Sequence, residues 1–211
     1  MIIALESASS DPSLALASLD GAPIASDGWA GEGRQASELL PHLLVLLARA
    51  GRELREATAL AVGVGPGSFT GLRVSMSLAK GMALALGVPL VGIPSLEAWL
   101  EAEPRAAAAI TRAGAQDAYL LTRGTSEPQI VAATDLRGLV GGSLLSAPSE
   151  LALAFGLSGT LPPHEAAPAV ARMAARRLSM DPGGDDLAQL EPWYLQAPRG
   201  VPSSEAVSRW P

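Results

Sequence analysis

The 211-residue chain contains no cysteine. Neither a disulfide scaffold nor a thiolate metal site is open to it, and a reducing compartment suits it. Basic charge is short as well: fifteen Lys and Arg stand against twenty-one Asp and Glu, for a formal net charge of −6. Only one of the fifteen, Lys80, is lysine, and the arginines are scattered. A chain that grips nucleic acid on its own needs a basic face, and the sequence offers none. No apolar run reaches the roughly 20 residues of a membrane-spanning helix. The opening residues, MIIALESASS, lack the basic leader and apolar core of a signal peptide, so a cytoplasmic protein is expected. With two histidines, His42 and His164, and no cysteine, no Ser/His/Asp or Cys/His set stands out. No regular repeat is visible either.

What is present is enough apolar residue, 48%, to build the core of one large domain or two small ones. The chain is organised around Leu60–Gly87. Leu60–Val64 has the pattern of a buried strand. Gly65-Pro66-Gly67-Ser68 breaks it, Ser68 and Thr70 offer capping hydroxyls, and strong helix formers run from about Gly71 to Leu86 before Gly87-Val88-Pro89. A strand, a Gly-rich turn and a helix N-terminus make an anion-binding geometry. Spacing excludes two named forms: a P-loop needs glycine where Thr70 stands, and a dinucleotide fingerprint begun at Gly63 needs glycine where Ser68 stands. Two readings of the turn remain open. In one it only lets a helix pack on a sheet. In the other Gly65, Gly67 and Gly71 supply backbone geometry, Ser68 and Thr70 their hydroxyls, and Arg73 the side chain that reaches an anion or a carboxylate.

Upstream, Met1–Leu5, Leu14–Leu19 and Pro23–Ala30 read as strands, with the acidic, hydroxyl-rich turn Glu6–Pro12 after the first. Ser37 caps a predicted helix to about Ala50. Its Leu39, Leu40, Leu43, Leu44, Val45, Leu46 and Leu47 surround most of the cylinder, the pattern of a helix covered on two sides. Downstream, Leu90–Ile93 is a strand and Pro94-Ser95 begin a helix. Glu101–Pro104 marks a division between residues 1–103 and a smaller unit, 104–211. In the latter Ala106–Ile110, Ala118–Leu121 and Gln129–Thr134 read as strands, Ser149–Phe155 and Ala169–Leu178 as helices, and Gly200–Pro211 as a mobile tail.

GPGSFTGLRV at Gly65–Val74, followed by AKGMALALGVPLVGIPSLEA, resembles the TsaB (YeaZ-type) family, as do MIIALESASSDPSLAL and GRQASELLPHLLVLLARAG in the same order. The resemblance implies an α/β fold of the actin-like, sugar-kinase-like (ASKHA) class, with two subdomains of mixed sheet and flanking helices, the second repeating the first in reduced form. It implies a non-catalytic subunit of tRNA threonylcarbamoyladenosine synthesis that binds TsaD and acts with the ATPase TsaE. Alone such a subunit forms a homodimer, and it meets tRNA only through the complex. No resident cofactor or metal is implied, and ATP or ADP belongs to the assembled complex. The paralogue TsaD carries a metal-holding His-x-x-x-His pair where this chain has Ser95 and Trp99. Glu6 replaces the usual Asp, the turn Thr111–Asp117 only partly meets the family pattern, and Gln196 replaces an Arg after Pro192-Trp193-Tyr194-Leu195. The resemblance also makes the two helices a partner surface. Leu40, Leu43, Leu44 and Leu47 of the first would pack with Val74, Ser77, Leu78, Gly81, Met82 and Ala85 of the second in a four-helix bundle. The alternative is an independent ATP-dependent phosphotransferase on the same fold.

Overall fold

The computed structural model describes residues 1–31, 34–163 and 165–193. His164, the Tyr194-Leu195-Gln196 element and the tail from Gly200 lie outside the described residues. Among the described residues, two five-stranded sheets carry the fold. The first has strands β1 (Ile2–Glu6), β2 (Ser13–Ala17), β3 (Pro23–Gly28), β4 (Ala59–Gly65) and β5 (Leu90–Pro94) in the order β3-β2-β1-β4-β5. The second has β6 (Ala108–Arg112), β7 (Asp117–Thr122), β8 (Gln129–Ala132), β9 (Leu145–Ser146) and β10 (Thr160–Leu161) in the order β10-β9-β6-β7-β8. In each, the first strand pairs antiparallel with the second and parallel with the fourth. The second sheet therefore repeats the first, with its last three strands, β8 to β10, shortened, as expected.

Alternation along the strands gives the first sheet two unlike faces. Ile3, Leu5, Leu14, Leu16, Leu60, Val62 and Val64 point to one side, under helices α1 (Gln35–Arg49) and α2 (Phe69–Leu86). Ala4, Ala15, Ala17, Ala59 and Ala61 point to the other, where Ala167, Ala171 and Ala174 of α6 (Ala166–Met180) meet them. Large residues fill the space beneath two helices, while alanines on both partners let α6 approach closely. Helix α3 (Ser95–Ala102) lies between the sheets: its Leu96, Trp99 and Leu100 pack with Ala109, Tyr119 and Leu121 of the second. Helices α4 (Ala133–Val140) and α5 (Ser149–Phe155) accompany the second sheet, whose core holds Ile110, Leu120, Leu136 and Leu151.

Two expectations change, and one helix is new. Ser37 lies inside α1, not at its start, and its hydroxyl donates to Arg34 O at 3.0 Å. Helix α1 buries one stripe only. Leu39, Leu43, Leu46 and Leu47 enter the core, while Leu40, Leu44 and Val45 are 42, 52 and 56% exposed. Helix α4 was not legible, because Thr134, Asp135 and Gly138 depress its helix propensity. Helix α6, late in the chain, returns to cover the alanine face of the first sheet.

Candidate functional site

Three segments converge at the carboxyl ends of β1 and β4: the turn after Glu6, the Gly65–Ser68 turn and the start of α2. The first turn is not a surface feature. Glu6, Ser7, Ala8, Ser9, Asp11 and Ser13 are all buried. The second turn lies directly on it. Ser68 N–H donates to Ala8 O at 2.6 Å, and Ser7 Oγ donates to Gly71 O at 2.7 Å. A Cβ at Gly67 would overlap Ala8 O, and one at Gly71 would overlap Ser7 O. These glycines are required by close backbone approach. Gly65 differs: its φ of +102° is a left-handed value that favours glycine. Ser68 caps α2 by accepting from Gly71 N–H at 3.2 Å.

A cleft of about 620 Å³ opens over this junction. Gly67, Ser68 and Thr70 line it on one side, Ala8–Ser10 on another, and Thr111–Gly114 of the second sheet with Glu150 face them. Two backbone donors of the turn, those of Ser68 and Gly71, are already spent within the protein, which reduces its capacity for an anion. Arg73, expected to reach an anion, is not in the cleft lining; its guanidinium lies 4.3 Å from the centre of the Phe69 ring. The arginine that does line the cleft is Arg112, the last residue of β6. Its place facing the first turn was not visible in the sequence, since only the pairing of the two sheets brings it there.

Beneath the turns, Glu6 is fully enclosed. Its Oε1 accepts from Ala8 N–H at 2.7 Å, and its Oε2 has no hydrogen bond of ordinary geometry, nor does Trp99 Nε1. Burial pushes the Glu6 carboxyl up to about 7, against the opposing pull of Ala8 N–H, Ser95, Trp99 and Ser7. Gly63 leaves room for that carboxyl, because a Cβ there would overlap Glu6 Oε2. Ser95 Oγ accepts from Gly65 N–H at 3.1 Å, tying α3 to the Gly-rich turn. These residues do not fit the metal that a TsaD-like histidine pair would hold. An indole N–H has no lone pair to give, and the Ser95 hydroxyl is already bonded to the turn. Among the described residues no group of three or more His, Asp and Glu side chains is placed to hold a metal ion.

The partner-surface residues divide by exposure. Leu43, Leu47 and Met82 are buried in the chain's own core, so they are not free to meet another molecule. Leu40 and Leu44 are exposed, as are Ser77, Gly81 and Ala85, with Val74 and Leu78 half-buried beside them. Val45 and Leu84, the latter 77% exposed, extend the same apolar surface and were not singled out for it.

Comparison with known proteins now has a geometry to rest on. A solved structure, YeaZ from Pseudomonas aeruginosa, superposes with a TM-score of 0.69 at 23% identity, covering 92% of this chain and 99% of that one. The protein is thus an actin-like α/β fold of two related mixed sheets. The family model described as TsaD, tRNA N6-adenosine threonylcarbamoyltransferase, matches residues 33–140. The tRNA threonylcarbamoyladenosine biosynthesis protein TsaB of Escherichia coli is 41% identical over 58 residues, 28% of this chain and 25% of that protein. The TsaB protein of Haemophilus influenzae is 42% identical over 64 residues, 30% of this chain and 27% of that protein. The chain belongs to this TsaD-type family, in its TsaB/YeaZ group. The matched segment spans only about a quarter of each of these two curated relatives.

Proposed function

We propose that the chain is a non-catalytic, scaffolding subunit in the synthesis of threonylcarbamoyladenosine in tRNA, pairing with a TsaD-type transferase. The observation that carries this reading is the apolar strip along α1 and α2. Leu40, Leu44, Val45 and Leu84 stand exposed beside Ser77, Gly81 and Ala85, which follow one another at four-residue spacing. An exposed apolar face with a ridge of small residues suits two helices of a second molecule packing closely on it. Ser95 and Trp99, in place of a histidine pair, support a role without metal-assisted transfer in this chain. Without its partner, the same strip joins two copies of the chain. TsaE and tRNA meet this subunit only in the assembled complex, where ATP or ADP also belongs, and the assembly is cytoplasmic.

The test is co-purification of the full chain with a TsaD-type transferase. Leu44→Glu charges the exposed strip, and Gly81→Trp adds bulk at a position where a Cβ meets nothing within 4 Å in the chain. Both variants fold and lose the partner. Folded variants that retain it at wild-type strength place the interface elsewhere. The cleft at the start of α2 favours a second reading, an independent ATP-dependent phosphotransferase. Robust ATP turnover by the purified chain without partners would establish that reading in place of the first.

A further inference from the structure

A second cavity, of about 730 Å³, lies at the free edge of the first sheet, away from both the cleft and the α1/α2 strip. Its walls are the end of β5, one side each of α3 and α6, and the segment 185–193 that covers the β5 edge. That segment is fastened to the strand: Asp185 N–H donates to Leu90 O at 2.8 Å, and Gly92 N–H donates to Asp185 Oδ2 at 2.6 Å. The size is within the usual range for small-molecule sites, and most of the lining is apolar, including Ile93, Met173, Met180, Leu190 and Trp193.

The charges decide what such a site accepts. Arg177 is engaged by Asp185 Oδ1 at 2.6 Å and by Gly92 O at 2.7 Å. Arg176 is engaged by Glu101 Oε1 at 2.6 Å. Asp186 accepts from Ala188 N–H at 2.8 Å. Glu97, on α3, lines the same cavity half-buried, and no hydrogen bond or ion pair joins it to another described residue. Both cations are therefore committed while one carboxylate is not, and burial raises the Glu97 carboxyl above its ordinary value. An anion would meet Glu97 with no free cation to offset it. A neutral ligand would deepen the burial of an uncompensated charge. A cation relieves it, and an aromatic ring and two thioethers in the wall suit a polarising positive group.

We propose that this cavity binds an amphipathic cation, an apolar body bearing one ammonium or guanidinium group, with Glu97 as its counter-ion. The site is independent of partner binding on α1 and α2.

Calorimetric titration of the full chain with 2-phenylethylammonium, and with its neutral analogue 2-phenylethanol, tests the proposal. The ammonium binds about fivefold or more tightly than the alcohol, the scale of one partly screened ion pair. Glu97→Gln, an isosteric change at a half-exposed position, brings the two probes to equal affinity. Glu127→Gln, at an exposed carboxylate outside the cavity, leaves the preference intact. Met173→Trp fills the space and abolishes binding of both probes, which keeps the test decisive if Glu97→Gln fails to fold. Absence of binding, equal affinities in the wild type, a preference that survives Glu97→Gln, or binding that survives Met173→Trp would each overturn it.

Discussion

Replacing Glu6 with glutamine separates the energetic burden of a buried carboxyl from its structural use. The carboxyl moves from 4.5 to about 7 on folding, driven by loss of hydration. Below about pH 4.5 it is protonated in both the folded and the unfolded chain and contributes no pH dependence. Between about 4.5 and 7 only the folded chain holds the proton, so stability falls as pH rises. Above about 7 both states are ionised, and the folded state carries the full burden of about 3 kcal/mol. That is a large part of the roughly 5–15 kcal/mol by which domains are ordinarily stable. Glutamine keeps an oxygen to accept from Ala8 N–H and carries no charge at any pH. Urea unfolding of both proteins from about pH 5 to about pH 8.5 measures the difference. Over that range the variant's advantage grows with pH by about 2.5 kcal/mol, most of it before pH 7. Taking the difference between the two proteins cancels every other titrating group. Parallel stability profiles would refute the assignment of a proton to Glu6 near neutrality.

Two glycines in one stretch respond in opposite senses to alanine. Gly67→Ala drives a Cβ into the Ala8 carbonyl and lowers stability by about 1–3 kcal/mol, while Gly81→Ala, in open space within α2, raises it by about 0.5–1 kcal/mol; thermal unfolding of the pair checks both. Arg177→Ala frees Asp185 and the segment that covers β5. The Gly92 amide then exchanges its hydrogen faster, with a global loss of only about 1 kcal/mol because the pair is partly exposed.

The parts of the fold that were legible share one property: their signal is local. The strand, Gly-rich turn and helix at Leu60–Gly87 announce themselves through an apolar run, left-handed glycines and a capping serine, and the structure places α2 at Phe69–Leu86 with Ser68 as its cap. What failed depended on tertiary partners. The leucines of α1 looked as though they needed two covering surfaces, because composition does not say that Leu40 and Leu44 remain uncovered within the chain. Arg73 seemed suited to the turn by sequence proximity, whereas Arg112 enters the cleft from the second sheet. The alanines of α6 gave no hint of their destination, since alanine is equally at home on any helix face. Glu6 was recognised as an acidic residue at a turn, but its enclosure by Ser95 and Trp99 requires β1 and α3 to meet across 88 intervening positions.

The return of α6 to the first sheet has a consequence for how the chain is completed during synthesis. Strands β1 to β5 can pair once residue 94 has emerged, and α1 and α2 can cover their leucine and valine face at once. The alanine face waits for residues 166–180, and the bond from Ala167 N–H to Ser13 Oγ at 3.0 Å spans 154 positions. Until then a growing chain carries a half-covered sheet, the kind of surface that chaperones retain and that slows folding when contacts are distant in sequence. A late-made helix closes the first-made layer, so no single cut between the two sheets yields two finished pieces.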